Sequence, residues 1–318
     1  MNEDYLWDRT GEADPEIAHL EDVLGKLRWQ RTLPASPPAR TPHRWRATRL
    51  MTIAATVVVA LGAVFFVWQM QTPAPVTSWR LTLGARKASG VHAGQVIETA
   101  EHGTLESDFV GEVNIEPNSR LRLLAARDDE QRLALDHGTI HALIWAPPAR
   151  FVVDTPSAKT VDLGCQYTLR VAHDGNGFLT VEMGWVAFES HNIESFIPAG
   201  AACTTRRGHG PDTPHFIDAP SALTKAVAQF DLTGSVQALQ TAVAAARPRD
   251  GLTLWHLLQR THGPERAEVF DRFAALVSLP PSVTRQSILQ GDQKSMDTAW
   301  DALQLGDTSW WRQWKRQW

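Results

Sequence analysis

Nineteen consecutive residues, Leu50 to Trp68 (LMTIAATVVVALGAVFFVW), carry no charge and have Thr52 and Thr56 as their only polar members. At a helical rise of about 1.5 Å per residue the run would be roughly 28 Å long, the hydrocarbon thickness of a bilayer. A helix on a water-soluble core shows a polar stripe every third or fourth position, and this run shows none. Trp45 and Trp68 bracket it, as amphipathic rings do at membrane interfaces. Forty-nine residues precede it and no A-x-A site follows, so the sequence predicts a retained transmembrane helix at 50–70 rather than a cleaved leader. Residues 26–49 hold seven Lys/Arg and no acid, whereas Arg80 and Arg86 are the first basic residues after the span. The positive-inside bias then predicts a cytoplasmic amino terminus and residues 71–318 outside. In a bacterium with two membranes this means a single-pass inner-membrane protein with a periplasmic carboxyl-terminal portion.

Composition narrows the function classes. The 318 residues are enough for two or three compact units. A formal net charge of −4 excludes a strongly basic nucleic-acid binder. Two cysteines cannot make a disulfide-rich scaffold or a Cys₄ zinc site. The sequence has no G-x-S-x-G elbow, H-E-x-x-H, Walker loop or G-x-G-x-x-G. His137 and His141 would lie about 13 Å apart on a strand, and His209 and His215 flank prolines in a loop, so neither pair reads as a metal site. The expectation is a protein without catalytic residues, cofactor or metal.

Residues 1–49 form the expected cytoplasmic tail. The first 25 residues hold eight acids against Arg9. Asp14-Pro15-Glu16 is a helix start, with an N-cap acid, Pro at the first helical position and a carboxylate near the positive dipole end. Ile17, Leu20, Leu24 and Leu27 then recur at helical spacing on one face, and Leu6 and Trp7 lie upstream. So short a tail cannot bury a core alone, and its acidity favours a basic protein partner over an anionic lipid surface. Leu6, Trp7, Ile17, Leu20, Leu24 and Leu27 are the candidate partner-binding residues; a plain juxtamembrane linker is the competing reading. Pro34, Pro37, Pro38 and Pro42 make a stiff spacer.

From 71 to 217 the pattern becomes β-rich. Trp79–Leu83, Leu121–Leu123, Phe151–Val153, Tyr167–Val171 and Phe178–Val181 read as strands, and Asp174-Gly175-Asn176-Gly177 reads as a hairpin turn. Seven segments follow one another here: Gly94-Gln95-Val96-Ile97, Ile115–Leu121, Leu135–Ile140, Phe151–Pro156, Val161–Tyr167, Val181–Val186 and Ile197–Gly200. In that order they resemble the FecR domain, with Gly164-Cys165-Gln166-Tyr167 departing from the family's G-T-x-F at its second position. The resemblance does not cover the tail, which is shorter than the usual cytoplasmic helix bundle. It implies a membrane-anchored regulator whose external β domain meets a periplasmic ligand or protein and whose cytoplasmic end controls an extracytoplasmic-function sigma factor. Cys165 and Cys203 both fall in this region. A bridge between them would close a loop of about 38 residues and stabilise by around 3–4 kcal/mol; two separately buried thiols are the alternative.

Residues 218–318 switch to helical periods, with candidates at Ser235–Ala246, Leu252–Arg260, Glu265–Val277 and Val283–Leu303. Trp310, Trp311, Trp314 and Trp318 share one side of a final helical stretch, with Arg312, Lys315 and Arg316 largely off it. Such a stripe can lie on a membrane interface or a partner, and more often packs on the bundle it ends. The expected fold class is therefore a multi-domain membrane protein: a short cytoplasmic helix, one transmembrane helix, an all-β FecR-like external domain and an α-helical carboxyl-terminal domain. The expected function is a signal transducer that passes a periplasmic signal to a cytoplasmic sigma factor. An anchored binding or scaffold module with no transcriptional role is the alternative.

Overall fold

The computed structural model describes residues 15–26, 79–86, 89–190 and 193–306. The chain divides into two units, 1–71 and 72–318. In the first, helix α1 spans Pro15–Lys26, with Glu16 in its first turn. In the second, sixteen strands precede six α-helices among the described residues.

The strands are β1 (Trp79–Leu83), β2 (Ser89–Val91), β3 (Val96–Thr99), β4 (Gly103–Ser107), β5 (Gly111–Ile115), β6 (Ser119–Arg127), β7 (Glu130–Ile144) and β8 (Phe151–Asp154). They continue as β9 (Lys159–Asp162), β10 (Gln166–Val171), β11 (Gly177–Met183), β12 (Trp185–Ser190), β13 (Ile193–Pro198), β14 (Ala201–Arg206), β15 (Gly210–Pro211) and β16 (His215–Phe216). Strand β7 organises them. Its first half pairs with β6 and, in parallel, with β8; its second half pairs with β5 and β10. One layer thus runs β3-β6-β7-β8-β9-β12-β13, and the other runs from β2 through β1, β4, β5, β7, β10 and β11 to β14. The change of layer falls at Gly138, whose φ is +108°. A Cβ there would collide with Ser119, so the bend needs a residue without a side chain.

Alternation fills the space between the layers. Along β6, Leu121 and Leu123 are buried, with Arg120 and Arg122 only partly covered. Along β10, Tyr167, Leu169 and Val171 are buried. This is the period-2 pattern of sheets with one wet face. Trp79 is fully buried; its indole N–H donates to Gln131 Oε1 at 2.9 Å and its ring lies 6.1 Å from Phe151. The expected hairpin turn joins β10 to β11, closed by the Ala172 N–H on the Asn176 carbonyl at 2.8 Å.

The helices are α2 (Ser221–Thr233), α3 (Val236–Ala245), α4 (Gly251–Arg260), α5 (Gly263–Leu276), α6 (Arg285–Leu289) and α7 (Gln293–Asp301). Helix α2 had no expected counterpart. The expected long helix at 283–303 is two helices, because two N-caps compete within it: Thr284 accepts the Ser287 N–H and Asp292 accepts the Ser295 N–H.

Two findings correct the expected fold class of a multi-domain membrane protein. No helix among the described residues is long and apolar enough to cross a membrane; the apolar run at 50–70 lies outside them. The sheet is mixed, and α2–α7 belong to the same compact unit as the strands. The physical reason is a shared core: Leu252, Leu254, Trp255 and Trp300 join one buried cluster with the sheet residues Phe188, Phe196 and Ile197.

Candidate functional site

Of the residues expected to bind a partner, Leu20 and Leu24 lie within the described part of helix α1. Leu20 and Leu24, one turn apart, are 58% and 57% exposed, and Val23 is exposed beside them. Val23, three residues after Leu20, was not among the expected residues. The side chain of Ile17 and all of Leu6, Trp7 and Leu27 lie outside the described residues. The same helix carries Glu16 in its first turn, with Glu21 and Asp22 further along.

In the second unit two of the segments singled out in the sequence, Val161–Tyr167 and Val181–Val186, meet at corners where strands change layer. Asp162-Leu163-Gly164-Cys165 carries the chain from β9 to β10, and Met183-Gly184-Trp185 carries it from β11 to β12. The two corners are stacked. Gly184 has φ +76°, and a Cβ on it would fall onto the Gly164 carbonyl oxygen. The Leu163 N–H reaches the Trp185 carbonyl at 3.2 Å, and the Ala199 N–H reaches the Gly184 carbonyl at 3.0 Å.

Under these corners lies a buried polar group. The Asp162 carboxyl is 1% exposed; it accepts the Gly164 N–H at 2.7 Å and the Cys165 thiol. Burial pushes Asp162 up to about 7, and Cys165 and Tyr167 are pushed upward as well, again chiefly by burial. The Tyr167 hydroxyl is buried with no hydrogen-bond partner among the described residues. Cys203 is separately buried, its thiol donating to the Asp212 carbonyl at 3.2 Å. Both cysteines are free. Register sets Cys203 opposite Leu179 and Leu179 opposite Leu169, so Cys165 lies two strand spacings across (roughly 9–10 Å) and four residues along (about 13 Å) from Cys203, which no disulfide spans.

A second polar seam joins the helices to the sheet. Arg260 of α4 donates to Ser195 Oγ at 2.6 Å and to the Asp212 carbonyl at 3.0 Å, and pairs with Asp231 of α2 at 3.3 Å. Asp212 itself pairs with Arg206 at 2.8 Å, while burial raises its carboxyl to about 6. Beside this seam Trp255, Trp300 and Phe196 stack edge to face, with centroids 4.7 Å and 5.2 Å apart.

On the open face of the second layer, Glu116 stands between two histidines. His141 Nε2 lies 3.0 Å from Glu116 Oε1, and His102 Nδ1 lies 3.4 Å from Oε2. His102 and Glu116 edge a groove of about 310 Å³ with Thr82, Thr104 and Asn114. Spacing along the chain does not reveal this trio, because β5 and β7 bring it together. His137, paired with His141 in the sequence reading, contacts His173 instead, at 4.4 Å between rings. Among the described residues no group of His, Cys, Asp and Glu is placed to hold a metal ion.

No protein-family model matches the sequence, and no curated protein matches it. Among solved structures, two crystal structures of a "putative anti-sigma factor" from Parabacteroides distasonis ATCC 8503 resemble the chain distantly. The first has a TM-score of 0.34 and 15% identity, and the match covers 42% of this chain and 65% of that one, just under two thirds. The second has a TM-score of 0.34 and 14% identity, covering 46% and 74%.

Proposed function

We propose that the chain is a non-enzymatic regulator of anti-sigma type, holding an extracytoplasmic-function sigma factor on α1 and receiving a ligand or protein signal on its β-rich unit. The observation that carries the reading is the strip of Leu20, Val23 and Leu24 left open on an acidic helix. Apolar side chains at i, i+3 and i+4 are the anchors an amphipathic helix lays into a partner's groove. The order of the FecR-like segments from Gly94 to Gly200 supports it from the sequence side. The test is co-purification of the full chain with the sigma factor encoded nearest its gene. Leu20→Asp with Leu24→Asp should abolish capture and release reporter transcription while leaving the melting temperature of the second unit unchanged. Undiminished capture, or no capture by the unaltered chain, overturns the reading in favour of a binding or scaffold module with no transcriptional role.

A further inference from the structure

The open face of the second layer carries a straight row of short polar side chains. Register sets Thr82 opposite Thr104, Thr104 opposite Asn114, Asn114 opposite His141, His141 opposite Thr168 and Thr168 opposite Thr180. Cross-strand partners share a face, and at about 4.8 Å per strand the row runs roughly 24 Å. The chain neighbours Leu81, Leu105, Val113, Ile140, Leu169 and Leu179 are buried on the other side. A second row lies two residues along and holds Glu116, Thr139, Arg170 and Phe178. Arg170 is opposite both Thr139 and Phe178, and the Glu116 N–H donates to the Thr139 carbonyl at 3.0 Å. The groove of about 310 Å³ lies where the two rows begin, between Thr82, Thr104, Asn114 and Glu116.

These side chains are held in place with hydrogen-bonding capacity to spare. Thr104 Oγ1 donates to Asn114 Oδ1 at 2.8 Å, and the Asn114 amide donates to Glu112 Oε1 at 2.7 Å. That leaves the threonine oxygen's lone pairs and the second amide proton for a ligand. Glu116 meets His141 and His102 through different oxygens, and each oxygen keeps a further lone pair. His141 Nδ1 lies 2.9 Å from Thr168 Oγ1, which donates to Glu182 at 3.2 Å. Groups tied together in this way are positioned before anything binds.

Charge and polarity narrow the ligand. Arg170 is the one guanidinium in the two rows, with Glu112 and Glu182 hydrogen-bonded to their members, so a polyanion is not attracted. No aliphatic side chain interrupts the row from Thr82 to Thr180, so a lipid or an apolar peptide has no surface there to bury. The ligand that fits is uncharged and dense in hydroxyls. The exposed ring of Phe178, and the His102 imidazole at the groove, offer flat faces for the C–H side of a sugar ring.

We infer that this face binds an uncharged glycan chain laid across the strands, with one sugar unit in the groove against Thr82, Asn114 and Glu116 and later units along His141, Thr168 and Thr180. The inference rests on the proposed function, in which the β-rich unit receives a ligand, and names the class of that ligand.

The experiment titrates the full chain by calorimetry with three neutral hexasaccharides (cellohexaose, chitohexaose and maltohexaose), with their monosaccharides and with heparin. At least one hexasaccharide should bind with a Kd below about 1 mM, and its monosaccharide at least about ten-fold more weakly, because one unit reaches the groove alone. Thr82→Val with Thr104→Val keeps the β-branched shape and removes two hydroxyls; it should weaken binding at least about three-fold with the melting temperature unchanged. The titration contains no sigma factor, so its failure leaves the reading of α1 standing, and loss of sigma-factor capture leaves glycan binding measurable. No binding by any hexasaccharide, equal affinity for the monosaccharide, tighter binding of heparin, or undiminished affinity in the double variant overturns the inference.

Discussion

The imidazole of His256 closes the seam between helices and sheet: its Nε2 accepts the backbone N–H of Phe196 at 3.0 Å, and its Nδ1–H donates to the Leu252 carbonyl at 2.9 Å. One ring therefore satisfies an N–H in β13 and a carbonyl in α4, and it must be neutral to do so. Burial pushes its pKa down to about 3, with Arg260 adding to the shift.

His256→Ala should cost about 2–4 kcal/mol near neutral pH, since it leaves the Phe196 N–H unpaired and a cavity beside Trp255 and Trp300. The pH dependence has a definite sign. Between about 3 and 6.5 the unfolded chain takes up a proton at His256 that the folded chain refuses, so the unaltered protein loses stability as pH falls through that window. Urea unfolding at several pH values should show the gap to His256→Ala widest above 6.5 and narrowing toward 3. A constant gap would mean the imidazole is not held neutral.

Asp162 titrates in the opposite sense. Its folded carboxyl is raised to about 7 from 3.8, so the folded state holds a proton that the unfolded state has released. Its contribution is fully present below the unfolded value and is lost as pH rises toward 7. Asp162→Asn keeps an acceptor for the Gly164 N–H and removes the titration. Its stability relative to the unaltered protein should rise from pH 4 to pH 8, read as a shift in urea midpoint. A parallel pH profile would show that the carboxyl is ionised throughout.

The stacked corners give a backbone test. Gly184→Ala must relieve both a left-handed φ and a Cβ driven against the Gly164 carbonyl, and should cost about 3–5 kcal/mol. Gly94 shares a positive φ of +90° but has no atom within 4 Å of where a Cβ would stand. Gly94→Ala should therefore cost only about 1–2 kcal/mol, from backbone strain alone. Equal losses in chemical denaturation would show that the close approach at Gly184 contributes nothing.

Local chemistry was readable along the chain. Alternation marked the strands at Trp79–Leu83 and Tyr167–Val171, turn residues marked the 174–177 hairpin, and Asp14-Pro15-Glu16 marked the start of α1, because each signal acts within a few residues. Long-range partners were not readable. Nothing near Gly138 in sequence announces that β7 serves two layers, since the bend answers to Ser119 across the sheet. The helices at 221–301 follow a helical period whether or not they own a core; that Trp255, His256 and Trp300 lean on Phe196 depends on β13 arriving beside them. Cys165 and Cys203 could be paired or parted on sequence grounds, and the strand laid between β10 and β14 parted them. Periodicity records which side of an element avoids water, whereas the identity of what covers that side is set by chain crossings that no short window contains.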